Sequence, residues 1–331
     1  MQQIQSILTL TFPFFALVLC GYVATRRGML PVVAIPGLSI FVLYFALSAM
    51  LFRFGSATPL AQLLDFRLIV IYSVCGLILV AATVVMSRNE RIGSKDAAFG
   101  AMVAVYSNSG FMGIPMLLAL LGEQSVGVVI LTIMVDVTLI SSLCMSIAHV
   151  QGPGDESRSW RTLVLSALRS LNGAARNPLL WSIVAGVLFG LSGLTMPEPV
   201  NKTITLLSDA ASPVALFTIG AMLARNVLQA KRRTPPLDYV PVALAKLFVH
   251  PLLIYLGGRA AEAMGFPLDT QTLTTLILIA ALPSASNVSM LAERFGADSG
   301  RIARIIMVST VLSFFTFSAT VWLLGVRLPG N

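Results

Sequence analysis

Two clusters of small polar and helix-breaking residues interrupt long apolar runs, and they are the chain's best candidates for chemistry. The first is Ser107-Asn108-Ser109-Gly110-Phe111-Met112-Gly113-Ile114-Pro115, inside the run 97–122; the second, inside 270–292, carries Pro283, Ser284, Ser286 and Asn287. Proline removes a backbone donor and collides with the preceding turn, and glycine is costly in a helix interior, so both stretches should open the helix that carries them. Irregular backbone survives at membrane depth only where it is buried in protein or lines a wet cavity. Half-helix N-termini then attract anionic groups, and exposed carbonyls can hold a cation. One proline in a span reads as an ordinary kink, whereas two matched breaks read as a binding site. We therefore take Asn108, Ser109, Pro115, Pro283, Ser284, Ser286 and Asn287 as candidate substrate-binding residues. The carboxamides of Asn108 and Asn287 are costly to bury alone, so each either meets a ligand or joins crossing helices by hydrogen bonds.

Few ionisable groups share these apolar runs. Lys246 and His250 lie four apart on one helix face, where either could draw in a carboxylate; the plainer readings are a snorkelling lysine and a packed histidine. Lys246 joins the substrate-binding set and His250 the ion-coupling set. Asp136 is expensive to bury as an anion, which makes it a candidate for proton or Na+ coupling or a carboxyl bonded to a neighbouring hydroxyl. Asp209 is a further coupling candidate, or a helix cap together with Ser208. No catalytic residue is expected: the chain lacks a His-Glu-x-x-His pair, a Gly-x-Ser-x-Gly elbow and a Walker loop. Cys20, Cys75 and Cys144 are too few and scattered for a metal cluster or a disulfide framework. We expect neither enzyme activity nor a cofactor or metal; H+ and Na+ are the candidate coupling ions, with uncoupled facilitation as the alternative.

The elements that must position these residues are membrane spans. Hydrophobic residues make up 56% and charged residues 11% of the 331, and the mean hydropathy is +0.88, far from the soluble average. A spanning helix needs roughly 20 apolar residues. Runs at 7–25, 32–52, 68–87, 97–122, 124–148, 177–197, 203–224, 239–258, 270–292 and 305–326 meet that need, and their length excludes β-barrel strands. The fold class is thus all-α integral membrane protein, with ten transmembrane helices. Residues 1–150 hold five spans and 177–331 five more, joined by a cytoplasmic linker, 151–176, in which Trp160 to Leu171 reads as a short surface helix.

One sequence offset relates the starts of spans one and six, the starts of spans three and eight, and Pro115 to Pro283. Because each half has an odd number of spans, the second must be inverted relative to the first, with broken crossover helices 4 and 9. Most cations fall on one set of alternate loops, among them Arg26, Arg27, Arg88, Arg91, Lys95, Arg294 and Arg301; Arg53, Arg67, Lys202, Arg259 and Arg327 lie on the other. Both termini should then face outward, the formal charge of +8 belongs to loops beside anionic headgroups, and no nucleic-acid partner is expected.

Asn108-Ser109-Gly110-Phe111-Met112-Gly113-Ile114-Pro115, Ala281-Leu282-Pro283-Ser284, Arg176-Asn177-Pro178 and Leu207-Ser208-Asp209-Ala210 occur in an order and spacing that closely resembles the auxin efflux carrier family, across essentially the whole chain. The resemblance implies the fold of the bile-acid sodium symporters, with the substrate site where the broken helices cross between a scaffold and a transport domain. It also implies elevator-like movement and a homodimer through helices 2 and 7. Asn108, Pro115 and Pro283 match the family's crossover positions, whereas Asn287 sits differently. The expected protein is a secondary transporter of a small organic anion, a carboxylate or auxin-like acid, in the bacterial inner membrane with periplasmic termini. A passive channel and a ligand-binding membrane sensor are the alternatives.

Overall fold

The computed structural model describes residues 2–57, 65–149, 178–229 and 234–326. The linker 151–176, with its expected surface helix, and the Arg176-Asn177 dipeptide lie outside these residues. Among the described residues every regular element is a helix, and the only extended pairing is a single bridge discussed below. In chain order the helices are α1 (Gln2–Arg26), α2 (Val32–Ala57), α3 (Phe66–Ser87), α4 (Ser94–Val105), α5 (Ser109–Leu121), α6 (Gln124–Ala148), α7 (Pro178–Leu191), α8 (Glu198–Gln229), α9 (Val240–Ala263), α10 (Thr270–Ala281), α11 (Val288–Arg294) and α12 (Ser299–Leu323). Six of them, α2, α3, α6, α8, α9 and α12, are long and apolar enough to cross a bilayer. The chain is an integral, multi-pass membrane protein. Side chains such as Phe12, Val85, Leu188 and Phe315 are exposed, as a lipid-facing surface requires.

All helix limits fall within about six residues of the apolar runs, and two of the differences are instructive. The sixth run stops at Leu191 rather than 197, because a turn follows with Gly193 at φ 67°, a left-handed conformation suited to glycine. The seventh is longer than expected, running unbroken from Glu198 through Pro213 to Gln229. Asp209 therefore lies three turns inside a helix and caps nothing. It faces Arg53 of α2 at 3.7 Å, with 67% of its side chain exposed, and Arg53 also donates to Ser208 at 3.3 Å.

The helices pack as two sets. α1 lies along α8 and α2 along α7, while α3, α4 and α6 gather with α9, α10 and α12. The α1–α8 contact is a backbone approach: a Cβ on Gly21 would strike the Phe217 carbonyl, and one on Gly220 the Val18 carbonyl. Small residues permit such contacts in lipid, where apolar burial between helices gives little driving force and close van der Waals packing must supply it.

Each expected crossover run is indeed interrupted. α4 and α10 are twelve residues each, so each runs roughly 18 Å into the protein and then stops. α4 starts beside Asp96 and Arg91, which line a cavity of about 870 Å³ with Arg225 and Asp298; α10 starts beside Asp269 and Gln271, which line another of about 310 Å³ with Asp65 and Gln124.

Candidate functional site at the crossing of two broken helices

The breaks meet backbone to backbone. Ser107 and Ser284 form an antiparallel bridge in which the Asn108 amide donates to the Pro283 carbonyl at 2.9 Å and the Ala285 amide to the Tyr106 carbonyl at 3.0 Å. Opening two helices frees donors and acceptors that lipid would not satisfy, and here each break satisfies part of the other.

The first gap is narrower than its sequence suggests. Only Tyr106 to Asn108 leave the helix; α5 resumes at Ser109 with a widened turn, Ser109–Gly113, in which the Ile114 amide bonds back to the Ser109 carbonyl. Pro115 consequently sits in the first turn of the regular helix beyond it, rather than in the break. Its missing amide favours the widened turn ahead of it. Pro283, by contrast, lies in the second break and supplies one of the bridging carbonyls. The two prolines paired by sequence offset thus occupy different structural places.

The second break is also held by a side chain from the last helix of its half: the Ser284 amide donates to Ser309 Oγ of α12 at 3.2 Å. In the first half the last helix, α6, carries Asp136, which accepts from the Tyr72 hydroxyl at 3.1 and 3.2 Å. From α9, the Lys246 ammonium donates to the terminal α4 carbonyl of Val105 at 3.2 Å, to Ser107 Oγ at 2.6 Å and to His250 Nδ1 at 2.9 Å. With Nδ1 accepting, the histidine proton is assigned to Nε2. Asp136, Lys246 and His250 are all essentially inaccessible, at 1%, 0% and 0% exposure. The ammonium complements the negative end of α4.

α9 can present Lys246 and His250 together because a widened turn, Ala245–Val249, precedes Pro251 and absorbs its missing amide. A similar widened turn, Asp136–Ile140, begins at the carboxylate of α6.

Against this well-bonded network stand buried polar atoms without partners among the described residues: Asn108 Nδ2, Ser109 Oγ, Ser284 Oγ, Ser286 Oγ and His250 Nε2. Such atoms are rare in native proteins and call for an explanation. These five lie where the backbones cross; Arg225 Nε, Arg301 Nη2 and Thr316 Oγ1 are further such atoms elsewhere. Asn108 and Asn287 each occupy the residue before a second half-helix, yet neither side chain caps its helix. Asn108 is buried, whereas Asn287 is exposed and lines a cavity of about 250 Å³ with Met102, Tyr106, Leu291 and Arg294.

The structure therefore brings together Asn108, Ser109, Pro283, Ser284, Ser286, Lys246, Asp136 and His250, with Asn287 at the margin and Pro115 one turn away. It leaves Asp209 at the α2–α8 contact. Sequence reasoning missed Tyr72 and Ser309. Ser309 lay within reach, because it follows Asp136 by nearly the offset that relates the two halves; an isolated tyrosine in an apolar helix carries no such signal.

Interrupted helices that meet at a buried polar crossing recur among membrane transporters. Residues 6–323 match the family described as Membrane transport protein, and the chain belongs to that family, the auxin efflux carriers. It is a membrane transporter and not an enzyme. A Rhizobium meliloti (strain 1021) protein named "Putative malonate transporter" is 30% identical over 320 residues, 95% of each chain. "Uncharacterized transporter YfdV" of Escherichia coli (strain K12) is 27% identical over 235 residues, 70% of this chain and 69% of that one. "Lysosomal cholesterol signaling protein" of Mus musculus is 23% identical over 326 residues, 94% of this chain but 36% of that much longer one.

Proposed function

We propose that the protein is a secondary transporter of a small organic anion, moved by elevator-type alternating access, with the substrate held where the two breaks cross. The observation that carries this reading is the set of unpartnered polar atoms on Asn108, Ser109, Ser284 and Ser286 around the Ser107–Ser284 bridge. Asn108 Nδ2 and the serine hydroxyls are donors suited to a carboxylate, and α5 turns its N-terminus toward the same place. The malonate named for the Rhizobium relative makes a short carboxylate the first substrate to try.

Ten spans in two inverted halves fit the helix order when α4–α5 and α10–α11 each count as one broken span. The packing supports this: α1 on α8 and α7 on α2 are the same contact exchanged between halves. In this reading α1, α2, α7 and α8 form the scaffold, which pairs with a second copy through α2 and α8, helices 2 and 7 of the ten. The remaining helices carry the substrate. With the cation-rich loops inside, both termini in this reading lie outside a bacterial inner membrane.

For coupling we favour the proton. Val105 O and Ser107 Oγ, oxygens suited to Na+ at a broken helix, already receive the Lys246 ammonium, while Asp136 and His250 adjoin it as titratable groups. Asp209, exposed and paired with Arg53, is left out of this step.

The test is uptake into proteoliposomes of radiolabelled malonate, malate, succinate and indole-3-acetate, with imposed proton or Na+ gradients. Saturable uptake of one acid, driven by a proton gradient in wild type and indifferent to it in Asp136→Asn, is the expected result. Unsaturable flux would point to a channel, binding without flux to a sensor, and Na+-driven uptake would overturn the proton assignment.

A further inference from the structure

α11 carries a second polar group aligned with its first. Asn287 and Arg294 are seven residues apart, two turns, and so share one face of the helix at roughly 10 Å separation along its axis. Between them on that face lie Met290 and Leu291, and all four line the cavity of about 250 Å³ beside the crossing, with Tyr106 on the wall contributed by the first break. Long helical side chains lean toward the N-terminus of their helix, the direction in which Asn287 lies, and Arg294 lines the same cavity as Asn287. Among the described residues no hydrogen bond or ion pair engages the Arg294 side chain, and the Asn287 carboxamide makes no cap bond. By contrast, nearby Arg301 is buried and committed to the carbonyls of Asp238 at 2.7 Å and Asp96 at 2.8 Å.

The wall thus reads carboxamide, apolar, guanidinium. We infer that Arg294 is a specificity-determining residue that binds the second carboxylate of a short dicarboxylate whose first carboxylate is held at the crossing, with Met290 and Leu291 against the methylenes between. This inference rests on the organic-anion reading above and narrows it to dicarboxylates. A guanidinium holds a carboxylate through two parallel N–H bonds, a geometry lysine does not reproduce. A monocarboxylate of equal length would leave that fork unused and gain nothing from it.

The test compares malonate with propionate, and succinate with butyrate, as saturable uptake into phosphatidylcholine proteoliposomes by wild type, Arg294→Gln and Arg294→Lys. Zwitterionic lipid removes any contribution from arginine bound to anionic headgroups. Malonate-induced thermal stabilisation of the detergent-purified proteins reads binding without transport. We expect Arg294→Gln to weaken dicarboxylate uptake and binding about tenfold or more, the scale of a charge-assisted hydrogen bond, while monocarboxylate uptake stays within about twofold. Arg294→Lys should fall between. Equal loss of both acid classes, or no loss of either, overturns the assignment while leaving the organic-anion reading intact. Failure of wild type to bind or carry any of the four acids overturns both.

Discussion

Asn108 and Lys246 are both buried at the crossing, yet opposite outcomes are expected when each is truncated. Asn108 Nδ2 has no partner among the described residues, so its loss removes a donor left free for a ligand. Asn108→Ala should weaken substrate binding about tenfold while leaving the melting temperature of detergent-purified protein nearly unchanged. Unaltered binding in that variant would remove Asn108 from the site. Lys246 is already committed to Val105, Ser107 and His250, and its charge offsets that of Asp136. Lys246→Met leaves those acceptors unserved and the carboxylate uncompensated, which should cost about 3–5 kcal/mol of stability. Adding Asp136→Asn should restore part of that loss, and thermal unfolding of the two single variants and the double variant measures the coupling. Simple additivity would mean that the two groups act independently.

At the scale of elements, the helices divide into those that touch through backbone and those that interlock through side chains. The α1–α8 pair is of the first kind, because Gly21 and Gly220 let the two backbones approach. Gly220→Val places branched carbon against the Val18 carbonyl, so the helices must separate. The expected loss is about 1–3 kcal/mol, visible as a lower melting temperature, with substrate affinity of the remaining folded protein unchanged. A drop in affinity without a drop in stability would instead place this contact within the binding machinery. The widened turns answer a different need. In α5 and α9 they precede prolines and let a helix continue where a hydrogen bond is missing, which places Lys246 and His250 on the crossing without a second break.

For the whole molecule, the proposed alternating access requires one set of helices to move past the other. α8 meets α11 where the Asn226 side chain donates to Ser289 Oγ at 3.5 Å, a long and weak bond of the kind a sliding contact can afford to lose. Asn226→Cys combined with Ser289→Cys should permit a disulfide across this contact. We expect oxidation to stop uptake and dithiothreitol to restore it, with each single variant insensitive to both. Full transport by the oxidised double variant, once cross-linking is verified by mass spectrometry, would rule out movement between α8 and α11.

The sequence by itself determined that the protein is helical, that it lies in a membrane and where nearly every helix runs, because hydrocarbon leaves the backbone no other way to satisfy its hydrogen bonds. It also marked both breaks, since Pro283 and the Ser107–Gly113 stretch disfavour a helix whatever surrounds them. The partners of those breaks were decided only by the tertiary structure. Pro115 and Pro283 looked equivalent, but one follows a widened turn and the other supplies a bridging carbonyl, a difference set by the helix packed opposite. Asp209 lies in a family-like motif and ends at a surface pair, whereas Tyr72, in no motif, reaches the buried carboxylate of Asp136. Helix formation depends on near neighbours and on solvent, both legible along the chain; which buried polar groups meet depends on how distant helices are packed and turned.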